Sequence, residues 1–107
     1  MAEGRHVAII GAGAVGVISV ATNIIPKQVS TMVQCHLSGK IDEARALHLK
    51  YYPLFKDLFV ETNPIPVKAA MAMLGMIEEV YRLPLCPISD KGREVLRAAM
   101  KKTGVLK

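Results

Sequence analysis

Two proline-bearing stretches, "TNPIPV" at 62–67 and "RLPLCPIS" at 82–89, do most to limit what this chain can become. Proline fixes φ, lacks an N–H and pushes its predecessor out of the helical region, so each stretch must break a helix. In the first, Asn63 can cap a new helix and Pro64 can sit in its first turn. In the second, Pro84 and Pro87 together demand an extended run. Apolar residues recur every three or four positions around these breaks. Val67, Ala70, Met71 and Leu74 form one stripe, closed by Gly75. Val95, Leu96, Ala99 and Met100 form another, opened by Ser89 as a cap and closed by Gly104 after Lys102. Ile41 to Val60 is the longest periodic stretch, with Ala44, Leu47, Tyr51, Leu54, Phe55, Leu58 and Phe59 on the face that Ile41 begins. Pro53 lies inside it and removes the hydrogen bond to Leu49, which predicts a kink or a split. Asn23 and Pro26 turn the chain into a helix from Lys27 to Leu37, with Val29, Met32, Val33 and Leu37 on one side and Gly39 as its stop. Four amphipathic helices therefore follow Asn23.

The start reads differently. Val7–Ile10 and Gly16–Ala21 are rich in Val and Ile and interrupted by glycine, which predicts strands or one interrupted strand. Between them "GAGAVG", residues 11–16, matches the glycine pattern that cradles a dinucleotide pyrophosphate. That site needs the third glycine to open a helix and an acidic residue about 20 positions on. Here Gly16 leads into Val17, Ile18, Ser19 and Val20, and Pro26 leaves no room for a crossover helix. The first acid after the motif is Asp42. The glycines are better read as a tight turn with close backbone approach.

The chain's 107 residues suffice for one modest domain, whereas a complete βα barrel needs roughly 250. Val7 to Pro26 is free of charge, but three glycines, Thr22 and Asn23 interrupt it, so it is not a membrane span. No secretory leader opens the chain, and a cytoplasmic protein is expected. Cys35 and Cys86 have no second ligand at metal spacing and read as buried, reduced thiols. The net charge of +5 is concentrated at the end: residues 80–107 hold seven basic and two acidic side chains. Arg97, Lys101 and Lys102 complement the negative end of the last helix, and without interleaved aromatics the patch does not predict nucleic-acid binding.

Three segments, "GVISVATNIIP", "FVETNPIPVKAAM" and "YRLPLCPIS" with the basic helix after it, carry a resemblance. In this order they resemble the C-terminal part of the 4-hydroxy-tetrahydrodipicolinate synthase (dihydrodipicolinate synthase) family, over residues 13–107. The resemblance implies a (β/α)8 barrel with a C-terminal three-helix extension. It implies a Schiff-base lyase that condenses pyruvate with aspartate 4-semialdehyde in the diaminopimelate route to lysine. "GVISVA" would be the last barrel strand and Lys27–Leu37 the last barrel helix. The imine-forming lysine, the proton-relaying tyrosines and threonine, and the carboxylate-binding arginine of that family would all lie upstream of Met1. None can be carried onto this chain, and the start "MAEGRHVAIIGA" departs from the family's pattern.

The expected class is therefore mainly α, with residues 1–39 as a β-rich start and last barrel βα unit and 40–107 as a helical extension. The chain alone is expected to be inactive, with no catalytic, cofactor-binding or metal-binding residue of its own. Lys27 beside Pro26 and Lys68 in "PVKAA" are the lysines weighed for imine chemistry, and neither has a buried pocket or tyrosine in sequence reach. His6, His36 and His48 share no ligand spacing. Asp42–Glu43 and Glu78–Glu79 are adjacent pairs whose side chains diverge on a helix, read as an N-terminal charge and a solvated turn. Met71, Met73 and Met76 read as adaptable core filler, Tyr51 as packing, and Tyr52 has no proton-relay partner. The expected partners are the barrel portion of the same enzyme or a second copy of the chain, with pyruvate and the aldehyde bound only by the complete enzyme. The second reading is a non-catalytic helical oligomerisation module, and the third a dinucleotide-binding protein.

Overall fold

Pro26 begins the first long helix because its missing N–H costs nothing in a first turn and its fixed φ already suits a helix. In the computed structural model, which describes residues 4–107, five α-helices are formed: α1 His6–Gly11, α2 Pro26–Leu37, α3 Ile41–Asp57, α4 Ile65–Met73 and α5 Asp90–Lys102. A short 3-10 turn at Val20–Asn23 precedes α2. The chain forms two compact units that meet in sequence between Tyr52 and Pro53.

In the first unit, α2 packs against α1 and the 3-10 turn. Val29 and Met32 supply its buried face, joined in the core by Ile10, Ala21, Ile25 and Ala44. Gly39 ends α2 at φ +87°, where a side chain would be strained, and so lets the Lys40 N–H reach the Cys35 carbonyl at 2.7 Å. α3 starts two residues later with Asp42 and Glu43 in its first turn, where negative charge is favoured.

In the second unit, α4 packs against α5. Leu54 and Phe55 on α3, Leu58 just past its end, Ile65, Val67, Ala69 and Ala70 on α4, and Leu96, Ala99 and Met100 on α5 are buried. Each fully buried large side chain here is worth about 2 kcal/mol relative to exposure. α3 stays helical across Pro53 rather than splitting. α4 starts one residue later than Asn63 would allow as a cap; Pro64 takes that position and no side chain caps it.

Two sequence expectations are overturned. Val7–Ile10 is helical, within α1, although its residues favour strands. A strand is stabilised by its neighbours, and no strand occurs among the described residues for this run to pair with. Gly16–Ala21 is not a strand either: Ser19 keeps extended dihedrals of φ −138° and ψ 133°, and the chain then tightens into the 3-10 turn. Met1 to Glu3 lie outside the described residues.

Candidate functional site

The candidate residues of the sequence are scattered rather than gathered. Lys27 is exposed on the first turn of α2, and the Thr31 hydroxyl donates to its carbonyl at 2.8 Å. Lys68 is half-buried on α4, its Nζ 5.4 Å from the centre of the Tyr81 ring. That is a cation–π contact. His6 is fully buried in α1, whereas His36 and His48 are partly buried on α2 and α3. His48 lies 5.7 Å from the Tyr52 ring, and burial lowers its pKa. Among the described residues, no group of His, Cys, Asp or Glu is placed to hold a metal ion.

Several readings need correction. The two cysteines are free thiols but not buried ones: Cys35 is partly covered, its Sγ 3.6 Å from the Glu43 carboxylate, and Cys86 is exposed between prolines. Met76 is 54% exposed and fills no core, whereas Met32 and Met100 do. Tyr51 is buried, as its place on the stripe requires. "GAGAVG" follows a helix instead of a strand and opens no helix, so the dinucleotide geometry is absent.

Glu79 is not a solvated turn residue. Its carboxylate accepts two hydrogen bonds from Arg93, at 2.8 and 2.7 Å, and one from the Tyr81 hydroxyl at 3.1 Å. Arg93 holds Glu79 below the usual carboxylate range, and burial with the Glu79 hydrogen bond pushes the Tyr81 phenol up to about 12. A second polar cluster sets the start of α5. The Ser89 hydroxyl accepts from the Gly92 N–H at 3.0 Å and donates to Glu61, whose carboxylate also accepts from the Ser89 N–H at 3.2 Å. An acid at the third helical position normally closes such a capping box. Here that position is Gly92, and Glu61 enters the space from 28 residues before Ser89. These clusters fasten the connection between α4 and α5 and the start of α5 itself, and their role is structural.

A different surface lies in the first unit. Val15 and Ile18 are 86% and 83% exposed, on a segment that ends in extended backbone. Beside it, Gly16, Val17 and Thr22 on one side and Val29, Ser30, Val33 and Gln34 of α2 on the other line an open groove of about 270 Å³. Extended segment followed by helix is the order of a barrel βα unit.

A sequence profile described as the Dihydrodipicolinate synthetase family matches residues 2–103. The chain belongs to that family. Among relatives in the dihydrodipicolinate synthetase family, the 4-hydroxy-tetrahydrodipicolinate synthase of Thermotoga neapolitana is 47% identical over 97% of this chain and 35% of its own length. The crystal structure of the Thermotoga maritima dihydrodipicolinate synthase matches 96% of this chain at 48% identity and a TM-score of 0.93, over 35% of that chain. The chloride-inhibited Acinetobacter baumannii dihydrodipicolinate synthase, solved in complex with pyruvate, matches 98% at 37% identity and a TM-score of 0.93, over 36% of its chain. The chain thus spans about a third of the length of the dihydrodipicolinate synthases it matches. It corresponds to their C-terminal, mainly helical part. Among the described residues, no helix is long and apolar enough to cross a membrane.

Proposed function

We propose that this chain is the C-terminal part of a 4-hydroxy-tetrahydrodipicolinate synthase, and that the part of such an enzyme outside the matched third carries the chemistry. In the complete enzyme a lysine amine condenses with pyruvate, and the resulting Schiff base adds to aspartate 4-semialdehyde in lysine biosynthesis, in the cytoplasm. An imine-forming amine must be deprotonated, which takes desolvation or a cationic neighbour. Neither exposed Lys27 nor Lys68, set against the Tyr81 ring, has that environment. The observation that carries the reading is the end-to-end likeness of this chain to synthases of known structure. These residues alone contribute form rather than catalysis.

Borohydride trapping tests it. The isolated chain with pyruvate and borohydride is expected to gain no mass, whereas the same chain co-expressed with the preceding two-thirds of a synthase should restore a trapped pyruvyl adduct, located on that other polypeptide. A pyruvyl adduct on Lys27 or Lys68 of the isolated chain overturns the reading.

A further inference from the structure

Ser89 and Arg93 are the two ends of one hydrogen bond, and a different carboxylate grips each of them. The Arg93 N–H donates to the Ser89 carbonyl at 2.8 Å, the first backbone bond of α5. Glu61, in the turn after α3, holds the Ser89 end through its N–H and its hydroxyl. Glu79, in the connection after α4, holds the Arg93 end through both arms of the guanidinium.

The connection between these grips has little else to fix it. Among the described residues, 77–88 make two backbone–backbone hydrogen bonds, Val80 to Glu78 at 3.0 Å and Leu85 to Arg82 at 2.9 Å. Both close within the connection itself. Side chains attach it to the helices: Ile88 is buried, Glu79 holds Arg93 of α5, and the Tyr81 ring lies 5.4 Å from Lys68 Nζ of α4. The Tyr81 hydroxyl also donates to Glu79 at 3.1 Å. A segment tied down by so few bonds opens at lower cost than the core beneath it.

The two grips meet across one hydrogen bond, so they reinforce each other. With Glu61 fixing Ser89, the carbonyl that the Arg93 N–H must reach is already in place, and less freedom is lost when Glu79 takes the guanidinium. The converse holds once Glu79 is seated. Groups in one such network show coupling, where separate groups simply add. Their charged neighbours are shared as well. Tyr81 lies in the field of both Glu61 and Glu79, Arg93 faces Glu79 and Asp90, and Lys68 stands over Tyr81 from α4. Protonating either carboxylate removes the charge that makes its bonds strong.

We infer that Glu61 and Glu79 form a two-handed latch on the first turn of α5, so that this turn and the 76–89 connection open as one unit, which acid releases. Above the carboxylate range both hands are charged and the latch is shut. Leu96, Ala99 and Met100 lie beyond it, buried, and keep the rest of α5 in the core when it opens.

Amide hydrogen exchange of the full 107-residue chain, read by NMR, tests the latch at its far ends. The Val80 N–H reports on the Glu79 side, and the Gly92 N–H, bonded to Ser89 Oγ at 3.0 Å, on the Glu61 side. Glu61→Gln should speed exchange at Val80 by about threefold or more, and Glu79→Gln should do the same at Gly92. The double variant should speed both by clearly less than the product of the single effects. The Leu74 N–H, bonded to Ala70 at 3.1 Å at the end of α4, should keep its wild-type rate in every variant. Glu78→Gln, beside the latch, should leave all three amides unchanged. In wild type the Val80 and Gly92 amide shifts should titrate in acid with one shared midpoint. Effects that are absent or confined to the substituted side, a double variant equal to the product, separate midpoints, or loss of protection at Leu74 would each overturn the inference.

Discussion

Arg93 holds Glu79 through both arms of its guanidinium, Nη1 donating to Oε1 at 2.8 Å and Nη2 to Oε2 at 2.7 Å, across 14 residues of sequence. The two side chains are only 28% and 23% exposed, so this parallel pair is screened less than a surface ion pair. It ties the proline-rich connection after α4 to the first turn of α5.

Glu79→Gln should lower unfolding stability by about 1 kcal/mol in urea titrations, against no more than about 0.5 kcal/mol for Glu78→Gln at the exposed neighbour. The wild-type advantage depends on pH in a known sense. Arg93 depresses the Glu79 carboxyl below its ordinary 4.5, so the stabilisation is complete above that value and is lost as pH falls through the lower folded value. The difference between wild type and Glu79→Gln should shrink over that acid range.

Tyr81 should ionise well above the ordinary phenol range. Burial first, then its hydrogen bond to Glu79, raise the phenol from 10.0 to about 12. The folded state therefore keeps a proton that the unfolded chain gives up, and stability should fall between about pH 10 and 12. Tyrosinate absorbance of wild type and Tyr81→Phe checks this: the variant should lack the step near pH 12.

His48 acts at milder pH. Burial lowers its pKa from 6.5, so the folded chain favours the neutral ring packed beside Tyr52. Its contribution is complete above the unfolded value and declines as pH drops below 6.5, where the unfolded chain takes up the proton first. An NMR titration of the His48 ring should give a midpoint below 6.5, and His48→Phe should remove that part of the acid destabilisation.

Gly92 is open to the most direct substitution. A Cβ there would run into the Glu61 carboxylate and stand 3.1 Å from Ile88. Alanine favours a helix by up to about 1 kcal/mol over glycine, but displacing Glu61 forfeits its bonds to Ser89, each worth about 1.5–3 kcal/mol when one partner is charged. The loss is larger. Gly92→Ala should destabilise the chain by about 1 kcal/mol or more in thermal or urea melts, and Glu61→Ala should make the second substitution nearly harmless.

What could be read from the residues alone follows the range of the force involved. Pro26 at the start of α2, Gly39 past its end and Ser89 before α5 act within one turn of themselves, and all three stand where local rules put them. The stripes of α3, α4 and α5 were legible for the same reason, since their period alone selects Leu54, Ala70 and Leu96 for burial. Val7–Ile10 was not, because strand preference is a preference for pleated neighbours, and this chain gives the run none. Glu79 with Arg93 and Glu61 with Ser89 join residues distant in sequence, and nothing local to either partner announces the other. The family likeness was legible in "NPIPVK" and "RLPLCPIS", segments whose prolines fix backbone shape as well as identity.

The carboxylate that seats Ser89 also governs how α5 begins. A peptide cut to hold that helix alone would lack the partner for its own first turn and should unravel from that end in water. The beginning of the thirteen-residue α5 therefore depends on a carboxylate 28 positions nearer the start of the chain, in the turn after α3.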